Sequence, residues 1–175
     1  MTRITLHGDA LYTDGAPPVL GSQAPKFTLA TTSLADVGLD HYGRACKVLD
    51  IVPSVEVPSC VLSARRLAEI VPREALLLVI APDLPFAIQR FCETHALERV
   101  VALSTFRSPG FARAFGVGIV SGPLRGLLAR AVIVLDAQHR VRYAELVREI
   151  TGEPDYGKVV HALDAARRPA ATVGP

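Results

Sequence analysis

The sequence predicts an α/β sandwich with a mixed central sheet, and three observations lead there. Short apolar runs rich in leucine and β-branched residues recur along the chain, as CKVLDIVP, ALLLVIAP, RVVALST and LARAVIVLD. Each has the length of a buried strand. Between them lie CVLSARRLAEIV and LPFAIQRFCETHAL, whose apolar residues fall at helical spacing. Near the end, LARAVIVLD and VRYAELVRE stand next to each other across the polar turn Ala137-Gln138-His139, before the helical DYGKVVHALDAARR. Helices alternating with strands, then two adjacent strands and a last helix, fit helices flanking a mixed sheet and exclude an all-α fold.

The remaining elements follow in order. ITLHGDALYTDG predicts an N-terminal β-hairpin turning at His7-Gly8-Asp9. GAPPVLGSQAPKFTLATT is rich in proline and glycine, so it is expected to be irregular or edge-like. CKVLDIVP runs into the loop Ser54-Val55-Glu56-Val57-Pro58-Ser59, with Pro58 and Ser59 as start signals for the first helix. SPGFARAFGVGIV predicts a short helix and a turn. The tail, residues 168–175, is expected to be disordered.

The chain has 175 residues, enough for a single domain (1–175) with its own core. Half of the residues are hydrophobic, and the net charge is only +2. Arg65-Arg66 and Arg167-Arg168 are isolated pairs rather than a basic face, so no nucleic-acid partner is expected. No apolar run approaches the roughly 18 residues that span a bilayer. The N-terminus lacks the apolar core of a signal peptide, which gives a cytoplasmic expectation and no membrane partner. Three cysteines, Cys46, Cys60 and Cys92, argue against a structural disulfide framework and permit one transient pair plus a spectator.

Cys60 stands just after a strand and at the first turn of a predicted helix. The free N–H groups and positive dipole end there stabilise an anion, so its thiol is expected to have a lowered pKa and to be nucleophilic. Cys92 lies 32 positions later, on the next helix. The two could form a sulfenic acid and then a disulfide if a helix end unwinds. Each alone reads equally as a small buried hydrophobe, and Cys46 reads as a reduced spectator. Arg130 heads a strand-like run, where a charge is costly unless paired. A thiolate, Asp50 or Glu56 would serve as its partner. There is no C-x-x-C, and His7, His41, His95, His139 and His161 have no metal-ligand spacing. No metal or cofactor is implied. Glu56 and the carboxylates of REITGEPD read as surface charges.

The segments GSQAPKFTL, VLDIVPS, DLPFAIQRFC, LSTFR, FGV, GPLRGLLARAVIVLD and EITGEPDY carry a family resemblance over nearly the whole chain. It resembles the bacterial thiol peroxidases, the atypical two-cysteine branch of the peroxiredoxins. The resemblance implies a thioredoxin fold, a homodimer, reduction by thioredoxin, and hydrogen peroxide or organic hydroperoxides as substrates. It puts Cys60 at the peroxide-attacking position and Cys92 at the resolving one. Pro53 falls on the proline that shields the pocket, and Arg130 on the arginine that holds the thiolate and polarises the peroxide.

One position departs from the pattern. The family places threonine or serine four residues after the proline and three before the cysteine; here that residue is Val57. Valine keeps the shape of threonine but cannot hydrogen-bond. Losing one preorganised donor costs about a hundred- to a thousand-fold in rate, or about 3–4 kcal/mol. Ser59 and Ser63 offer nearby hydroxyls, and Pro58 stiffens the loop. Val57 therefore supports a second reading, a thioredoxin-fold redox sensor or partner-binding protein with weak turnover. A general disulfide reductase is disfavoured by the missing C-x-x-C.

Overall fold

A computed structural model describes residues 1–167; the tail expected to be disordered lies outside the described residues. Two strands, β1 (Arg3–Leu6) and β2 (Asp9–Tyr12), form the N-terminal hairpin. Its two-residue turn puts both His7 and Gly8 at positive φ, 51° and 89°, as the twist of a tight hairpin requires. The Glu149 carboxylate holds this turn from the far end of the chain, accepting from the Thr5 hydroxyl and the His7 and Gly8 backbone N–H groups. These bonds, the Thr5 hydroxyl first, pull Glu149 down to about 2.

The central sheet is built from β3 (Leu29–Thr31), β4 (Asp36–Val37), β5 (Lys47–Ile51), β6 (Leu76–Ala81), β7 (Val100–Ser104), β8 (Ala131–Leu135) and β9 (Val141–Leu146). The spatial order is β4-β3-β7-β6-β5-β8-β9. β5, β6 and β7 are parallel; the flanking pairs are antiparallel. The mixed sheet predicted from the sequence is thus present. β4 and the 3-10 helix Leu39–Tyr42 are additions that the sequence did not signal.

Strand parity explains why the central runs are continuously apolar: both faces are covered. Val48 and Val52 of the β5 segment, Leu77 and Val79 of β6, and Val132 and Val134 of β8 face one cluster. That cluster is capped by α1 (Pro58–Ile70), α2 (Pro85–Thr94) and α4 (Tyr156–Arg167). Leu49, Ile51, Leu78, Ile80 and Ile133 face the other side, against Phe111 and Phe115 of α3 (Gly110–Phe115). Asp50 breaks the pattern. It sits between Val48 and Val52, so its carboxylate points into the face that α1 and α4 cover. Arg130 immediately precedes β8 and shares the parity of Val132, while Asp50 pairs with Val132. Asp50 and Arg130 are therefore diagonal neighbours across β5 and β8 on one face.

Candidate active site

The chain leaves β5 at its carboxyl end, and the loop that follows delivers Cys60 to the first turn of α1. Val57 is the N-cap residue with no side-chain cap, and Pro58 occupies the first helical position, where its missing N–H and fixed φ cost nothing. Pro53 and Val55 are buried, while Val57 packs on the apolar cluster with its side chain half-buried. The loop is clasped from outside. Asp83, in the β6–α2 connection, accepts from the Ser54 hydroxyl (2.8 Å) and the Val55 backbone N–H (3.0 Å). The Glu56 N–H in turn donates to the Ser54 hydroxyl (3.1 Å).

Cys60 is 2% exposed. Around it the structure gathers Arg130, Asp50, Ser63 and Ser59. Arg130, itself buried, donates through Nη1 to the Gly152 carbonyl and through Nη2 to the Ser59 carbonyl (3.3 Å). The guanidinium is thereby fixed against the helix turn that carries the sulfur. The Ser63 hydroxyl is shared between Asp50 Oδ2 (3.3 Å) and the Cys60 carbonyl (3.1 Å), so it serves the acid and the helix rather than the sulfur. Ser59 Oγ and the Tyr156 hydroxyl are buried with no hydrogen-bond partner among the described residues.

The electrostatics correct one expectation. A helix N-terminus favours a thiolate, yet burial pushes the Cys60 thiol up to about 11. Arg130 pulls the other way, as do the Ser54 N–H and the Ser59 hydroxyl, while the Asp50 charge adds to the rise. Desolvation wins because the sulfur is almost wholly covered. Burial likewise raises Asp50 to about 7, against the pull of Arg130 and of the Ser63 hydrogen bond. The pocket thus holds one fixed cation and two acids, both pushed toward their neutral forms.

Glu56 is taken at the surface by Arg90 (3.0 Å). Asp50 lies in the field of Arg130 without a salt bridge within 4 Å among the described residues. Cys60 lies in the same field. Cys92 is half-buried on α2 at the edge of the same apolar cluster, and its thiol is raised by burial and by Glu93. Cys46, Cys60 and Cys92 are all free thiols. Between the two cysteine-bearing helices runs an open cleft of about 250 Å³, lined by Val55, Val61, Arg90, Phe91 and His95 among others. A larger cavity of about 480 Å³, lined by Gln23, Lys26, His41 and His139 among others, holds no cysteine. It lies toward the amino end of β5, where His139 meets Lys47, whereas the smaller cleft borders the Cys60 loop through Val55 and Val61, although no cysteine lines it.

Residues 20–160 match the family model described as Redoxin.

The chain belongs to the redoxin family.

This redoxin is 42% identical to the thiol peroxidases of Mycobacterium bovis and Mycobacterium tuberculosis, over 166 residues that cover 94% of it and 100% of each relative. Among solved structures, a peroxiredoxin-like protein from Aquifex aeolicus superposes with a TM-score of 0.86 at 32% identity, covering 95% of this chain and 98% of that one. A thiol peroxidase from Chromobacterium violaceum gives a TM-score of 0.86 at 25% identity, covering 93% and 95%. The redoxin accordingly has the thioredoxin fold and is an oxidoreductase of the peroxiredoxin type. No helix among its described residues is long and apolar enough to cross a membrane.

Sequence reasoning missed Asp83, although it begins the quoted segment DLPFAIQRFC. Its partners Ser54 and Val55 are 29 and 28 positions away, and only the fold brings them together. The clasp joins the loop of Cys60 to the entry of the helix that carries Cys92. Hydrogen bonds to a charged acceptor each contribute about 1.5–3 kcal/mol. Asp83→Ala in the redoxin is therefore expected to speed amide hydrogen exchange at Val55 and Glu56 by at least about tenfold, read by mass spectrometry. Unchanged exchange there would show that the clasp does not hold the loop.

Proposed function

We propose that the protein is a thiol-dependent peroxidase that reduces hydrogen peroxide and organic hydroperoxides. The observation that carries this reading is the confinement of Cys60 with the buried, fixed Arg130 at the start of α1. The Cys60 sulfur loses its proton and attacks the terminal oxygen of the peroxide. An S–O bond forms, the O–O bond breaks, and the sulfur is oxidised by two electrons. The departing alkoxide or hydroxide takes up the proton that the thiol released, leaving alcohol or water and a Cys60 sulfenic acid. Arg130 stabilises the negative charge as it moves from sulfur to the leaving oxygen. Pro53 and Val57 shape the pocket and exclude water.

The Cys92 thiol then attacks the sulfenic sulfur. A Cys60–Cys92 disulfide forms and water leaves. This step needs the first turn of α1 or the end of α2 to open, because Cys60 is buried and Cys92 half-buried on separate helices. Thioredoxin is the proposed reductant of that disulfide, and the working unit is proposed to be a homodimer of single-domain chains in the cytoplasm. The test is stoichiometric. One equivalent of peroxide is expected to consume two thiols and yield one Cys60–Cys92 disulfide by peptide mapping. Cys92→Ser should stop at the sulfenic acid, trapped by a dimedone-type reagent, and Cys60→Ser should yield neither product. A disulfide that forms without Cys60, or involves Cys46, would overturn the assignment.

A second reading is favoured by one observation. With the thiol near 11 and 2% exposed, the closed site holds its sulfur mainly as thiol at neutral pH. Such a site fits a redox sensor or partner-binding protein that oxidises slowly and reports the disulfide to another protein. Slow oxidation with a clean disulfide would select it.

A further inference from the structure

Three hydroxyls surround the Cys60 turn, on Ser54, Ser59 and Ser63. Two are committed. Ser54 Oγ donates to Asp83 and accepts from the Glu56 N–H; Ser63 Oγ donates toward Asp50 and the Cys60 carbonyl. Ser59 Oγ is buried and has no partner among the described residues. A buried hydroxyl without a partner is destabilising, and such an orphan in a folded protein calls for an explanation. Its place supplies one. Ser59 directly precedes Cys60 in the first turn of α1, and its carbonyl is held at 3.3 Å by Arg130 Nη2. The peptide that carries the hydroxyl is thus pinned beside the sulfur by the same group that balances the thiolate. Val57, the N-cap residue of the same turn, has no polar side-chain atom.

We infer that the Ser59 hydroxyl is a catalytic residue, donating its hydrogen bond to the Cys60 sulfur as it becomes a thiolate and supplying the donor that Val57 lacks. The inference rests on the peroxidase reading for its kinetic consequence but not for its chemistry. In the resting thiol the sulfur is a weak acceptor, which accounts for the hydroxyl's having no partner. Once the proton leaves, the sulfur becomes a charged acceptor and a stronger partner for the hydroxyl of the preceding residue. By strict donor geometry the hydroxyl has no partner at rest, while its nearness to the sulfur already lowers the Cys60 pKa, the direction such a donor requires.

The experiment is Ser59→Ala, alone and combined with Val57→Thr, read in two ways on the full-length reduced protein with Cys46 and Cys92 replaced by serine. The first readout is the pH titration of the Cys60 thiolate by its ultraviolet absorbance, which needs no peroxidase activity. Ser59→Ala is expected to raise the midpoint by about one pH unit, and Val57→Thr in that background to bring it back down. The second is the rate of sulfenic acid formation with hydrogen peroxide, expected to fall about a hundredfold in Ser59→Ala and to recover in the double variant. A Ser59→Ala midpoint equal to the parent's overturns the inference whatever the rates. A parent rate no faster than a free thiol sinks the peroxidase reading instead, and the titration still decides the role of Ser59.

Discussion

Arg130→Met is expected to reduce the rate of Cys60 oxidation by hydrogen peroxide by about a thousandfold and to destabilise the protein at the same time. Both effects have one origin. The guanidinium is buried, tied to the Gly152 and Ser59 carbonyls, and is the cation whose field lowers both Cys60 and Asp50. Methionine fills similar volume and removes the charge. The charge that develops on the leaving oxygen then loses a preorganised donor, for which the rate falls by about 10²–10³. The thiolate that must form first becomes rarer as well. Asp50 is left as an acid in an apolar face with no cation, and removing one member of such a set destabilises by about 3–5 kcal/mol where the remaining charge persists. The stability loss should therefore be largest above pH 7, where Asp50 ionises, and small at pH 5. Urea unfolding at the two pH values checks this. A uniform loss at both would mean that Arg130 acts through packing alone.

Asp50→Asn is expected to stabilise the protein at pH 8 and to quicken Cys60. Burial raises this carboxyl from its ordinary value of 3.8 to about 7. Between those two values the folded state holds a proton that the unfolded state has released, so stability falls as pH rises through the window. The raised pKa thus favours the fold below about pH 4, and that contribution is gone above about pH 7. Three units correspond to on the order of 4 kcal/mol. Asparagine keeps the size and can still accept from Ser63, but it does not titrate. The fall in stability from pH 4 to pH 8 should shrink accordingly. The kinetic effect follows the same sign. Ionised Asp50 opposes a thiolate at Cys60, so the variant should oxidise faster than the parent above pH 7, by about tenfold, and at the same rate at pH 5. A gain independent of pH would remove Asp50 from the account.

The fold was largely legible because its central strands are covered on both faces. Val48-Leu49 and Ile51-Val52, Leu77 to Ala81 and Ala131 to Leu135 are all buried, and such runs stand out without any partner being known. β4 has two residues and the 3-10 helix four, too few for a period to register. Asp50 and Arg130 were visible as charges inside apolar runs, which is why they were candidate partners. Their relation is set by the β5–β8 register, which no local pattern encodes. The sign of the Cys60 shift was missed for a similar reason. A helix start is local and readable, whereas desolvation depends on everything that packs over the sulfur. Asp83 and the carbonyl of Gly152 were invisible because their partners are far away in the chain. Ser59 was readable as a nearby hydroxyl, and only the hydrogen bonds of Ser54 and Ser63 set it apart.

The central claim is that this pocket makes Cys60 a peroxide-reducing thiol. The measurement that tests it most directly is the second-order rate of oxidation of the fully reduced protein by hydrogen peroxide and by an organic hydroperoxide, with Cys60→Ser alongside. The account predicts a rate at least about a thousandfold above that of a free thiol, consistent with charge stabilisation by Arg130 and one further donor, and its complete loss in Cys60→Ser. A rate equal to that of a free thiol for both peroxides would contradict it, and would leave a thioredoxin-fold protein whose cysteines serve signalling instead.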